Sequence, residues 1–194
     1  MYNILAQILK DRDFSVWCQV QNCAVFFVFD DENGSKIVNE ESEKTFKVSN
    51  ENALRVYFLP IDNALITGKD SFPVFQEDGQ NSNPRCDFAL FTENALCLVE
   101  LKMNMTTDSE LSKSSKAEEA LKQLWNTLDF ILSEAQKKGL NIPSQAVFPI
   151  IAMSKFPITT QGQIKNNRFF FKWKDKFQEK FSTDIILKTE WAFV

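Results

Sequence analysis

The chain has 194 residues, 26 acidic against 22 basic for a net charge of −4, and 44% hydrophobic residues, which suits one domain, residues 1–194, with a sizeable core. It contains no histidine, so Ser-His-Asp and Cys-His triads and histidine-ligated metals are excluded. No run approaches the ~20 apolar residues of a membrane-spanning helix, and the acidic balance argues against tight non-specific binding to DNA.

At the N-terminus, Ile4, Leu5, Ile8 and Leu9 recur at helical spacing and predict a short amphipathic helix. The same segment lacks a basic leader and a small-residue cleavage site, so no signal peptide is expected. Apolar segments follow at 14–20 and 24–30. The run Asp30-Asp31-Glu32-Asn33-Gly34, continued by the acidic stretch 39–43, reads as a solvated loop or hairpin tip. Residues 53–59 read as a strand, and 67–85, punctuated by Gly, Pro, Asn and Asp, as a long connection.

That connection leads into two apolar runs flanking a polar pair. The first is Arg85-Cys86-Asp87-Phe88-Ala89-Leu90-Phe91 and the second Leu96-Cys97-Leu98-Val99-Glu100-Leu101-Lys102, joined through Thr92-Glu93-Asn94-Ala95. This pattern predicts a β-hairpin. A turn centred on Glu93-Asn94 sets Phe91 opposite Leu96, Ala89 opposite Leu98 and Asp87 opposite Glu100. Because strand side chains alternate, Asp87, Ala89 and Phe91 then share a face with Leu96, Leu98, Glu100 and Lys102, and Cys86, Phe88 and Leu90 share the other with Cys97, Val99 and Leu101. Both faces are apolar over most of their length, as expected for a central pair covered on both sides. Charge appears only at one end of one face.

Directly opposed residues have Cβ atoms about 4.5–5.5 Å apart, so two carboxylates there repel unless a cation compensates. Mg²⁺ suits such a pair, since it commonly takes one or two carboxylates and fills its other positions with water and phosphate. Composition alone would give about three acid-x-base triplets. Glu100-Leu101-Lys102 is the sole acid-x-Lys/Arg triplet present, and it ends a strongly apolar strand. A plainer reading stays open beside this one, in which Asp87 pairs with Lys102 or Arg85 in an ordinary ion pair where the hairpin meets solvent.

Beyond the hairpin, the stretch from Met103 to Ser115 is polar and reads as a loop beside these charges. A helix is predicted over 116–138, with Ala117, Ala120, Leu121, Leu124, Leu128, Ile131 and Ala135 as its apolar stripe and Gly139 as its stop. Gln123 flanks the stripe and faces either solvent or the carboxylates. Residues 145–153 read as a buried strand, which Pro149 weakens by implying a bulge or an edge. The last distinct segment, 165–180, interleaves Lys165, Arg168, Lys172, Lys174, Lys176 and Lys180 with Phe169, Phe170, Phe171, Trp173 and Phe177. Such a mixture can follow a nucleic-acid backbone and stack bases. It is equally the composition of an amphipathic element with aromatics inside and lysines outside. The 19 phenylalanines overall are best explained by a Phe-heavy core. Cys18, Cys23, Cys86 and Cys97 match no metal-ligand spacing, and reduced thiols in a cytoplasmic protein are the expectation.

Asp87, twelve intervening residues and then Glu100-x-Lys102 on a hairpin resembles the PD-(D/E)XK, or restriction-endonuclease-like, nuclease superfamily. The resemblance implies an α/β fold with an αβββαβ core, its mixed sheet flanked by helices and here preceded by extra N-terminal strands. It further implies Asp87, Glu100 and the Leu101 carbonyl as ligands to Mg²⁺ or Mn²⁺, and Lys102 orienting or deprotonating the attacking water. Gln123 corresponds to a glutamine that RecB-like and Holliday-junction-resolving members carry on the following helix. Arg85, Lys172 and Lys174 become candidate nucleic-acid contacts, and a homodimer is among the assemblies implied. Cys86 stands where a proline often precedes the Asp, and Thr127 where RecB-like members have a tyrosine. Glu51 is a candidate for the further acid some members carry on the first core helix. Three functions are therefore open: a metal-dependent nuclease, a nuclease-fold protein turned binding or regulatory module, and an interaction domain of unrelated fold.

Overall fold

The protein, seen in a computed structural model, is described over residues 1–9, 14–61, 85–103, 110–153 and 168–194. Helices α1 (Tyr2–Ile8) and α2 (Phe14–Trp17) precede strands β1 (Gln19–Gln21), β2 (Val25–Asp31), β3 (Gly34–Val38), β4 (Phe46–Ser49) and β5 (Val56–Pro60). Next come the hairpin strands β6 (Phe88–Phe91) and β7 (Leu96–Lys102), helix α3 (Glu110–Lys137), β8 (Val147–Met153), helix α4 (Arg168–Phe181), β9 (Ile186–Leu187) and β10 (Glu190–Ala192). The architecture is mixed α/β with two mixed sheets. The larger has the order β1-β5-β6-β7-β8-β9 and the smaller β10-β4-β2-β3.

In the larger sheet β5, β6 and β7 form an antiparallel meander, after which α3 crosses over to β8, parallel to β7, and α4 crosses to β9, parallel to β8. β6 and β7 are buried at nearly every residue because each of their faces meets a different layer. On one side Ala89, Phe91, Leu96 and Leu98 pack with Leu5, Leu121, Leu124, Leu128 and Phe177 of the helices. On the other, Phe88, Leu90, Cys97, Val99 and Leu101 pack with Phe26, Val28, Phe46 and Val48 of the smaller sheet. Among the described residues the helices cover one face, and the other is covered by a second sheet that the N-terminal strands form with β10 to bury their own apolar row, where the resemblance implied a sheet flanked by helices.

The run at 14–20 divides into a helical turn and the short edge strand β1. Asp31 and Gly34 face each other at the tip of the β2–β3 hairpin, where the Asn33 amide donates to Asp31 Oδ1 at 2.8 Å. The connection predicted at 67–85 lies outside the described residues except for Arg85, as do residues 104–109 of the predicted polar loop. The remainder of that loop, from Glu110, is the first turns of α3, since Lys favours a helix and Ser costs it only a few tenths of a kcal/mol.

Every residue of the predicted α3 stripe is buried. The helix stops at Gly139, whose φ of 66° lets its amide reach the Gln136 carbonyl at 3.0 Å and the Leu140 amide the Ala135 carbonyl at 2.9 Å, a Schellman closure. Space is open around the missing Cβ, so Gly139→Ala should cost only the left-handed backbone penalty, about 1 kcal/mol in urea unfolding. Pro149 is accommodated because β8 is bordered by β9 only at Ile150 and Ile151, leaving the outer side beside Pro149 without a strand. Among the described residues, no helix is long and apolar enough to cross a membrane.

Candidate metal and phosphodiester site

The hairpin has the register the turn predicted: Phe91 pairs with Leu96, Ala89 with Leu98 and Phe88 with Val99. One step further stand Asp87 and Glu100, but the ladder to β7 ends before them. On its other side Asp87 stays in line, its carbonyl accepting the Ile61 amide at 2.9 Å. Toward β7 the backbone has swung away, and the side chain fills the gap: the Leu101 amide donates to Asp87 Oδ2 at 2.5 Å. A carboxylate thus stands in for the ladder carbonyl that a buried strand N–H requires. The N–H and C=O of one strand residue point to the same side, so the Leu101 carbonyl is also directed toward the Asp87 side of β7.

The same bend moves Cys86. The alternation expected it beside Phe88, yet it packs on the helix face with Ala89 and Phe91, while Cys97 packs against the second sheet. No disulfide joins the four cysteines. Burial pushes the Cys18 thiol up to about 12 and the Cys97 thiol well above its ordinary value, so neither is a thiolate nucleophile at neutral pH.

Glu100 is fully buried, Asp87 is 5% exposed, and the Lys102 ammonium lies against Glu100 Oε1. Burial by itself would push the Lys102 ammonium down. The Glu100 carboxylate, with its charge and its hydrogen bond, and the charges of Asp87 and Glu119 together outweigh that and hold Lys102 above the ordinary lysine range. It is a fixed cation among carboxylates.

Two further side chains come from α3, one turn apart. Gln123 turns inward and not to solvent: its Nε2 donates to the Arg85 carbonyl at 2.9 Å. Thr127 is buried, its hydroxyl accepting the Cys86 amide at 3.0 Å and donating to the Gln123 carbonyl at 2.9 Å. The departure from the tyrosine pattern at Thr127 is therefore a tie between helix and hairpin. Its signal in the sequence is its position four residues beyond Gln123, on the same helix face.

Asp30 is a residue that the reading of 30–34 as a solvated tip misses. It continues the inward row of Phe26 and Val28 on β2 and accepts the Ser35 hydroxyl at 2.7 Å. Burial raises its pKa, against the Ser35 hydrogen bond and the positive charge of Lys102, with Asp31 adding to the rise. The period-two alternation of β2 carries that signal.

The remaining candidates are not gathered here. Arg85 is 8% exposed, an interior residue with no open surface for a phosphate backbone. Lys172 and Lys174 are exposed on α4, with Lys174 Nζ 3.7 Å from Asp184. That helix runs antiparallel to β8, since its C-terminal end hands over to Thr183, whose hydroxyl donates to the Val147 carbonyl at 2.8 Å. Phe170, Phe177 and Phe181 are core, with Trp125 set edge-on against Trp173, Phe177 and Phe181; Phe171, 51% exposed, presents its ring to solvent. Glu51 is exposed, in the turn after β4 and not on a helix. A cleft lined by Leu54, Arg55, Thr92, Glu93 and Asn94 lies at the opposite, turn end of the hairpin.

Among the described residues, no three His, Cys, Asp or Glu side chains form a metal cluster. What Asp87, Glu100 and the Leu101 carbonyl offer is a set of hard oxygens with only two carboxylates, which suits Mg²⁺ or Mn²⁺ completed by water and phosphate. Comparison with protein-family models, curated proteins and solved structures finds no match to this chain.

Proposed function

We propose that this protein is a metal-dependent nuclease that hydrolyses phosphodiester bonds of DNA or RNA on a restriction-endonuclease-like core. The observation that carries the reading is the hairpin register, with Asp87 and Glu100 one step beyond the last Phe88–Val99 pair and Lys102 on Glu100. With α2 and β1–β4 set aside as an insertion between α1 and β5, the remaining order α1-β5-β6-β7-α3-β8 supports it, since the resemblance implies αβββαβ.

In this reading Asp87 and Glu100 hold Mg²⁺ or Mn²⁺ together with the Leu101 carbonyl. The bound ion supplies Lewis-acid polarisation of the phosphate and a more acidic attacking water. Lys102, held protonated, stabilises the negative charge that builds on the phosphate oxygens as water attacks and the P–O bond to the leaving sugar oxygen breaks. Without metal, the Glu100 carboxylate holds Lys102 above the ordinary lysine range, which suits it to orient the attacking water and stabilise charge. Gln123 anchors the Arg85 backbone. Lys172 and Lys174 contact the nucleic-acid backbone, and Lys172→Glu/Lys174→Glu should weaken binding across sequences and reduce the salt slope by about two. Equal salt slopes for variant and wild type would remove them from the interface.

Incubation with plasmid, single-stranded DNA and RNA tests the activity. Cleavage of at least one substrate with Mg²⁺, and none with EDTA, is expected. Bound metal and bound nucleic acid without cleavage would replace the nuclease by a nuclease-fold binding module.

A further inference from the structure

We infer that Thr127 is a positioning residue that sets the Asp87 carboxylate from behind, a role that rests on the metal-site reading for its function but not for its geometry. Asp87 belongs to β5 on one side and to nothing regular on the other. Its carbonyl is tied to Ile61, whereas the two residues before it, Arg85 and Cys86, leave the ladder to β7. Their backbone polar groups are instead taken by one face of α3. The Arg85 carbonyl accepts from Gln123 and the Cys86 amide donates to Thr127, while the Thr127 hydroxyl donates to the Gln123 carbonyl. The three hydrogen bonds form a closed clamp.

The clamp explains why the Asp87 side chain reaches Leu101. With the Cys86 amide held against the helix, the Leu101 amide, which faces β6, is taken by Asp87 Oδ2. Thr127 is 1% exposed, so its hydroxyl works without competition from solvent. Loss of a group bonded directly to a metal ligand typically weakens metal affinity about 10–100-fold; Thr127 acts one residue earlier, through the Cys86 backbone. The Thr127 hydroxyl bonds one turn of its own helix and the hairpin at once.

The test uses the full chain, amide NMR and Mn²⁺ titration of wild type, Thr127→Val and Thr127→Ser. The Leu101 amide reports on the Asp87 carboxylate directly, without metal. Thr127→Val should move the Leu101 resonance and speed its hydrogen exchange, and should weaken Mn²⁺ binding at least about tenfold; Thr127→Ser, which keeps the hydroxyl, should restore both. An unchanged Leu101 resonance together with wild-type Mn²⁺ affinity in Thr127→Val would overturn the inference. Wild type that takes up no Mn²⁺, while Leu101 still responds to Thr127→Val, brings down the metal-site reading and leaves the clamp standing. If Thr127→Val does not fold, Gln123→Met removes the other half of the clamp and must move the same Leu101 signal; a silent Leu101 there overturns the inference equally.

Discussion

Asp87→Asn is expected to abolish Mn²⁺ binding and to lower strand cleavage at least about 10²–10³-fold, the range seen when one group serving transition-state charge is removed, while leaving the fold close to wild type. The reason for Asn lies in the Leu101 amide. Asp87 accepts it at 2.5 Å, and an amide oxygen can still accept, so the substitution removes charge without orphaning a buried N–H. Asp87→Ala would mix the two effects, since an unsatisfied buried donor costs about 1–3 kcal/mol. Comparing the two by urea unfolding and by metal titration separates them. Asp87→Ala alone should be destabilised, and both should fail to bind Mn²⁺. If Asp87→Asn binds Mn²⁺ as wild type does, Asp87 is a strand cap and nothing more.

Lys102→Met should destabilise the metal-free protein by about 3 kcal/mol, because it takes away the ammonium that touches a fully buried carboxylate and breaking a buried pair from one side leaves the other charge poorly compensated. The metal reading adds a second, sharper expectation. Mn²⁺ carries the countercharge that Lys102 supplied, so saturating metal should recover most of the lost stability by preferential binding to the folded state. Cleavage should not recover, because Lys102 is also needed for the developing phosphate charge. Urea unfolding in EDTA and in excess Mn²⁺ reads the first part; strand cleavage reads the second. A Lys102→Met protein destabilised to the same degree with and without Mn²⁺ would mean that the ion pair is structural alone.

Much of this geometry is legible in the amino-acid sequence. A polar two-residue turn between apolar runs fixes register, and since a slip of one residue would send a whole face to the wrong side, register at Phe88–Val99 follows from burial as well as from the turn. The α3 stripe is equally readable, because seven apolar residues at helical spacing leave few alternatives. The end of the hairpin is harder to read. Period-two alternation assumes that β6 stays in its ladder, and it leaves at Asp87 because α3 bonds the Arg85 and Cys86 backbone. That event is tertiary, and it turns Cys86 to the helix face. Asp30 is obscured for a related reason. A cluster of acids next to Asn-Gly reads as solvated, whereas a second sheet packed on β7 gives its inward row a place under cover. Tertiary pairing between sheets far apart in sequence has no local signature.

Whether Asp87 and Glu100 share a metal ion can be seen in the anomalous diffraction of crystals soaked in Mn²⁺. The expected result is one Mn²⁺ peak within about 2.0–2.3 Å of oxygens from both carboxylates and the Leu101 carbonyl, with the Lys102 ammonium drawn off Glu100. A map with no peak there, and Lys102 still seated on Glu100, would mean that the two carboxylates hold no shared ion.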